Sequence, residues 1–278
     1  MVISIETFVK ECSTYSSFLI KDYGTFEKQY YFKSAIKKSG FEENESTNKS
    51  DFEKYVDLNE LSNDRTCFIE TCKDLRYIDE NNQERAMRRA KNKIFDLCFL
   101  NDWDYFITLT FDNEKVGCRY DLDTLKKKTL ETFHQWQKKY GVKYLLVPEL
   151  HKDGALHFHG FIQDCNKRLK MTTTNKYTNQ GNEIFNINSW ANYKGFNTAC
   201  LLDKSDISKQ KTSSYISKYI TKQDKIFDKY YYCSNGLIDS PKVTYYDNVP
   251  IEFFEGDVYE NAQCYIKIVQ KKEIKKDD

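Results

Sequence analysis

Three of the chain's four histidines fall within nine residues, His151 to His159, in the stretch 149–163, ELHKDGALHFHGFIQ. In an extended strand His157 and His159 point to one side, about 7 Å apart, and Phe158 points to the other. Asp153-Gly154 reads as a hairpin turn. An antiparallel return across it brings the Glu149 carboxylate beside both imidazoles. Two imidazoles and one carboxylate leave coordination positions open, as a catalytic divalent cation requires. Mg²⁺ prefers oxygen ligands and Mn²⁺ tolerates imidazole, so Mn²⁺ fits at least as well as Mg²⁺. A bare His-x-His pair also occurs on polar sheet faces; the carboxylate at this spacing and the turn between favour the metal. His151 reads either as a residue behind the ligands or facing DNA, or as a solvated loop histidine. His134, inside an amphipathic segment, reads as structural.

A second constellation lies at 215–222, YISKYITK, where Tyr-Ile-x-Lys occurs twice. On a helix this spacing puts Tyr215 and Tyr219 on one face, with Lys218 and Lys222 on an adjoining stripe. Such Tyr/Ile pairs also pack cores. The chemical reading is nucleophilic: a tyrosine that attacks a phosphodiester becomes a phosphotyrosine. Phenol titrates near 10, so attack at neutral pH needs a cation on the phosphate and an ammonium near the developing charge.

The elements that must position these groups are legible in outline. Residues 82–100 read as a helix, with Ala86, Ala90, Ile94 and Leu97 at spacings of three and four. Residues 103–111, WDYFITLTF, read as a central strand covered on both faces. Residues 121–140 read as a helix started by Asp121 or Asp123 and stopped by Gly141. Strands are expected at 143–147, ended by Pro148, and at 156–163. Residues 166–198 read as a polar loop insertion with a short helix near Trp190. A serine-capped helix is expected over 213–223, and short β segments around 230–232 and 263–270. Residues 1–75 give a mixed pattern, with a polar loop or linker at 39–55.

The chain has 278 residues, 40% of them apolar, and a mean hydropathy of -0.75. Those values suit a folded protein of about one or two domains. No apolar run is long enough to cross a membrane, and the opening residues do not read as a signal peptide. The nine cysteines form no Cys-x-x-Cys, so free thiols in a reducing cytoplasm are expected. Net charge is only +1, yet basic residues gather centrally. Arg85, Arg88, Arg89, Lys91 and Lys93 stand against one acidic residue in 84–93. They read as a phosphate clamp or as a solvated helix face.

Three motifs in this order, FITLTF (106–111), ELHKDGALHFHGFIQ and YISKYITK, resemble the HUH endonucleases. They are similar above all to rolling-circle replication initiators of small phages and plasmids, including filamentous-phage gene II-type and microvirus-type proteins. The segment 84–97, ERAMRRAKNKIFDL, also resembles the phage and plasmid initiators. The resemblance implies an α+β fold with a ferredoxin-like, RRM-like core: an antiparallel sheet with flanking helices. It implies an endonuclease domain over 81–240, with extensions at 1–80 and 241–278. Carried over, Glu149, His157 and His159 would be metal ligands, and Tyr215 and Tyr219 nucleophiles. Single-tyrosine members keep a lysine three residues after the nucleophile; Lys218 and Lys222 satisfy that rule for both tyrosines. Thr108 and Thr110 would be structural or near the DNA.

The implied activity is site- and strand-specific nicking and rejoining of single-stranded or hairpin origin DNA, with a 5′-phosphotyrosine intermediate and a free 3′-OH primer. No Gly-x-x-x-x-Gly-Lys-Ser/Thr occurs, so the resemblance implies a host helicase. It likewise implies a host polymerase and a single-strand-binding protein, in a bacterial cytoplasm. Three rival readings remain. One is a relaxase or transposase of the same superfamily, although relaxases usually place the tyrosine before the histidines. Another is an RRM-like nucleic-acid-binding regulator without catalysis. A cupin-like metalloenzyme would want a further histidine after His159, and there is none.

Overall fold

The computed structural model describes residues 15–37, 65–164, 166–217, 225–246, 258–260 and 264–271. The expected loop at 39–55 lies outside these residues, as does the 218–223 portion of the expected tyrosine helix. In chain order the described elements begin with β1 (Tyr15–Asp22), β2 (Phe26–Lys37), α1 (Arg65–Leu100), β3 (Tyr105–Leu109), α2 (Asn113–Val116) and α3 (Leu122–Tyr140). There follow β4 (Lys143–Leu150), β5 (Leu156–Gln163), β6 (Met171–Tyr177), β7 (Glu183–Ile187), α4 (Asn188–Tyr193) and β8 (Asn197–Leu201). The last are α5 (Asp206–Ser217), β9 (Tyr232–Cys233), β10 (Lys242–Tyr246), β11 (Val258–Glu260) and β12 (Cys264–Gln270). The fold is mixed α+β with antiparallel sheets, compatible with a ferredoxin-like core.

The chain divides into two compact units: residues 82–240, and residues 1–81 together with 241–278. In the second unit, strands from both ends of the chain share one antiparallel sheet, in the order β10-β1-β2-β12-β11. Phe18 and Ile20 form its small core, packed by Tyr31, Tyr246, Val258 and Tyr265. The mixed pattern of the first 75 residues thus contains a hairpin. Its strands carry Lys21, Lys28, Tyr30 and Tyr31 on half-exposed positions and bury the polar Gln29, which blurs the two-residue alternation.

The unit spanning 82–240 is built on a seven-stranded antiparallel sheet, in the order β6-β7-β8-β3-β5-β4-β9. One face carries Ile107, Leu109, Tyr144, Leu146, Phe158 and Ile162 against Phe133 and Trp136 of α3 and Trp190 of α4. Full burial of each such large side chain contributes about 1.5–3 kcal/mol. The opposite face carries Leu145, Val147 and Phe161 against Ile94, Leu97 and Cys98 of α1 and Ile216 of α5. The expectation that 103–111 is covered on both faces therefore holds. α3 ends as its sequence predicts: Asp121 accepts from the Thr124 N–H at 3.3 Å, and Gly141 follows with φ +72°.

Several elements differ from expectation, among them α1, which begins at Arg65 and not near residue 82. β4 runs through Pro148 to Leu150. Its outer neighbour β9 pairs only with Leu145 and Leu146, so among the described residues no strand pairs with Pro148 on that side, where a proline is tolerated. The 166–198 insertion contains the β6–β7 hairpin as well as the short helix around Trp190. Its threonine run is β-branched and suits a strand. α5 begins at Asp206, seven residues earlier than the expected start at Ser213. Ser205 Oγ accepts from the Ser208 N–H at 3.4 Å, whereas Ser213 is buried in mid-helix and donates to the Lys209 carbonyl at 2.7 Å.

Among the described residues no helix is long and apolar enough to cross a membrane. Among the described residues Cys98, Cys118, Cys200 and Cys233 are free thiols.

Candidate active site

The histidine strand is β5, and its register with β4 sets the geometry. Glu149 stands directly opposite His157, and Val147 opposite His159. On the other side β3 pairs Thr108 with His159 and Phe106 with Phe161. Antiparallel partners share a face, so Glu149, His157, His159, Thr108 and Phe106 all project from the side on which α1 and α5 pack. Gly160 lets this happen: a Cβ there would lie 2.0 Å from the Leu145 carbonyl oxygen, so only glycine lets β4 and β5 approach this closely.

The side chains close further. His159, 9% exposed, places Nε2 2.8 Å from Glu149 Oε2. Its Nδ1 lies 3.1 Å from Thr108 Oγ1, which fixes the ring from behind. His157 is turned the other way: its ring stacks on His151, with centroids 5.1 Å apart. Burial, followed by the neighbouring His151 and His159, holds the His157 pKa below the ordinary imidazole value. A neutral imidazole is the form that ligates a metal. His151 in turn lies 3.4 Å from Asp153 in the turn, and Asp153 pairs with Arg119.

Among the described residues no group of three or more His, Cys, Asp or Glu side chains is gathered closely enough to hold a metal ion. Glu149 and His159 form a close pair, with His157 beside it on the same face. The pair's donor atoms suit a hard divalent cation. Adjacent ligands of an octahedral ion bound at about 2.1 Å lie about 3 Å apart, close to the 2.8 Å seen here.

The tyrosine helix meets the same face. Ile216 is fully buried against Leu145, Val147 and Phe161, which anchors the end of α5 on the sheet. Lys209 adds a tie to Asp102 at 2.6 Å. Tyr215, next to Ile216 and 49% exposed, contacts Phe106 edge-on at 5.8 Å. Phe106 lies flat against His159 at 6.2 Å. One aromatic ring thus separates the tyrosine from the histidine–glutamate pair. Tyr219, Lys218 and Lys222 lie outside the described residues.

The segment that carries this geometry has a family counterpart. Residues 104–224 match the model of the replication-associated protein family of the ORF2 and gene II protein type. No curated protein and no solved structure matches the chain. The match supports a role in initiating replication and, with it, binding to DNA. The matched segment includes β3, the β4–β5 hairpin and α5, and with them Phe106, Thr108, Glu149, His151, His157, His159 and Tyr215.

The basic residues of α1 precede this segment. Arg85, Arg88 and Arg89 are exposed, and Lys91 and Lys93 are half-buried. Lys93 pairs with Asp239 at 3.0 Å and also donates to the Asp239 carbonyl oxygen, so part of the basic run holds a neighbouring loop. His134 is exposed on α3, near the edge of Tyr144. Sequence reasoning singled out neither Phe106 as the spacer between tyrosine and histidine nor Thr108 as the partner of His159. The alternation of FITLTF put both on one face; only the strand order shows what they face.

Proposed function

We propose that this protein is a metal-dependent, site- and strand-specific endonuclease and ligase of single-stranded DNA that starts rolling-circle replication. The observation that carries the reading is the Glu149–His159 pair lying one aromatic ring away from Tyr215, within a segment that matches a replication-associated family. Glu149, His157 and His159 would hold one divalent cation, Mn²⁺ or Mg²⁺. When bound, that cation would draw charge from the scissile phosphate. Thr108 keeps His159 Nδ1 engaged so that Nε2 faces the ligand position.

Tyr215 or Tyr219 attacks phosphorus. The phenol loses its proton to solvent, a P–O(Tyr) bond forms, the P–O3′ bond breaks and the 3′ oxygen gains a proton. The products are a 5′-phosphotyrosine and a free 3′-OH, which primes a host polymerase behind a host helicase, with single-strand-binding protein on the displaced strand. The ester keeps the energy of the broken bond, so attack by a 3′-OH closes the circle without ATP. Lys218 and Lys222 would steady the developing charge. Arg85, Arg88, Arg89, Lys91 and Lys93 would contact flanking phosphates, with His151 behind the ligands. The setting is the cytoplasm of a bacterial host of a phage or plasmid.

The deciding experiment incubates the protein with Mn²⁺ and single-stranded DNA and looks for an adduct that survives denaturation. Adducts that disappear in the Tyr215→Phe/Tyr219→Phe double variant support the reading. No adduct on any DNA offered would leave a non-catalytic, RRM-like DNA-binding regulator.

A further inference from the structure

A second feature of the same unit lies beside Tyr215. An open groove of about 980 Å³ runs between the turn of the β6–β7 hairpin and α5. Its floor is Phe106 of β3 with Cys200 and Leu201 of β8. Thr178, Gln180 and Asn182 line one wall; Ser208, Lys211 and Tyr215 line the other. The lining is hydroxyls, side-chain amides and apolar surface, with Lys211 and Asp203 as its charged members. That is poor chemistry for clamping phosphates along its length and good chemistry for bases. Amides offer a donor and an acceptor to base edges, and apolar side chains offer surfaces to base faces.

The turn is also held ready. The Thr178 N–H donates to the Asn182 carbonyl at 2.8 Å, and the Gly181 N–H donates to the Thr178 carbonyl at 2.9 Å. Thr178 Oγ1 accepts from the Gln180 and Asn182 N–H groups at 3.3 and 3.1 Å. Gly181 takes φ +83°, which a side chain would strain. Gln180 and Asn182 therefore sit on a backbone fixed before any ligand arrives, which lowers the cost of binding. On the floor, Leu201 is 42% exposed.

We propose that this groove seats the unpaired nucleotides next to the scissile phosphate and reads their bases through Gln180 and Asn182. The inference rests on the nicking function proposed above and adds to it the residues that select the sequence. Lys211 meets one backbone phosphate. Bases lie over Leu201 and Phe106, and the strand then passes Tyr215 toward His159.

The test uses the full chain and a pool of randomised single-stranded oligonucleotides, selected for binding in EDTA and sequenced. Oligonucleotides of about 20 nucleotides suffice, since a single-strand site of this kind covers roughly 4–16. Wild type is expected to enrich a short motif. Gln180→Ala and Asn182→Ala should each flatten one or two of its positions, with discrimination falling roughly 5-fold to 100-fold there. Lys211→Ala should weaken binding evenly across sequences and lower the salt slope by about 1. In peptide-resolved alkylation at alkaline pH, selected DNA should shield Cys200 and leave Cys233 reactive. Both amide changes lie in an exposed turn held by backbone and Thr178 bonds, so circular dichroism should match wild type.

An unchanged motif in the Gln180→Ala/Asn182→Ala double variant, or Cys200 still fully reactive under bound DNA, overturns the proposal. Adduct formation with Mn²⁺ on the same oligonucleotides separates the two readings. Adducts with an unaltered motif remove only the groove; absence of both binding and adducts removes the groove and the nicking function together.

Discussion

Glu149 faces His157 across the β4–β5 ladder but gives its carboxylate to His159, 2.8 Å away on the diagonal. The directly opposed partner stacks instead on His151. This arrangement makes the two histidines unequal. His159 is buried and held on both ring nitrogens, whereas His157 is half-buried and lies toward the turn.

The inequality predicts different costs for replacing them. His159→Ala and Glu149→Ala should abolish adduct formation, on the order of a hundredfold or more, and weaken Mn²⁺ binding measured by calorimetry. Binding to single-stranded DNA in EDTA should change little. His159→Ala should also lower the melting temperature, because it empties a buried position; His157→Ala should not. Full cleavage by either alanine variant of the two histidines would contradict the metal role.

Thr108→Val keeps the shape of the side chain and removes the oxygen that engages His159 Nδ1. Loss of such an outer partner typically costs about 10- to 100-fold in metal affinity, and that loss is expected here. Excess Mn²⁺ should restore adduct formation. A variant with wild-type Mn²⁺ affinity would show that Thr108 orients nothing.

His157 gives a pH prediction. Burial favours its neutral form, so in metal-free protein its imidazole should titrate below 6.5, read by NMR. The sign for stability follows. The unfolded chain takes up this proton at higher pH than the folded one. Stability therefore falls as pH drops from about 6.5 to the folded value and is level below it. His157→Gln should remove that part of the slope. Titration above 6.5 would mean that the Glu149 carboxylate, and not burial, governs the ring.

Gly160→Ala should destabilise the 82–240 unit, because the added Cβ meets the Leu145 carbonyl oxygen at 2.0 Å. Overpacking of this kind costs about 1–3 kcal/mol or more. For a unit of this size that is a melting point lower by roughly 2–4 °C per kcal/mol, read by calorimetry. Mn²⁺ affinity should fall as well, since separating β4 from β5 moves Glu149 away from His159. Unchanged stability would mean that the ladder yields more easily than its register suggests.

Much of this site was legible in the sequence because its parts are local. The Asp153-Gly154 turn sets the β4–β5 register, and that register places Glu149 beside the histidines within a single short stretch of chain. Tyr215 was legible as a helical residue by its spacing. What was not legible depended on strand order. Phe106 and Thr108 meet their partners because β3 inserts between β5 and β8. The hairpin in the 166–198 insertion was hidden by polarity: exposed threonines and asparagines read as loop, yet an edge strand needs only one weakly covered face. The early start of α5 was hidden because Ser205 and Ser213 are equally good caps on paper, and only burial separates them.

The sheet shared by the two ends of the chain bears on biosynthesis. β2 waits for β12, whose first residue follows its last by more than two hundred positions, and β1 waits for β10. Residues 82–240 can condense on the ribosome while the amino-terminal hairpin still has neither lateral partner. Premature termination soon after residue 240 would then release the 82–240 unit tethered to two orphaned strands with sticky edges, a species cells would be expected to degrade or to collect in aggregates.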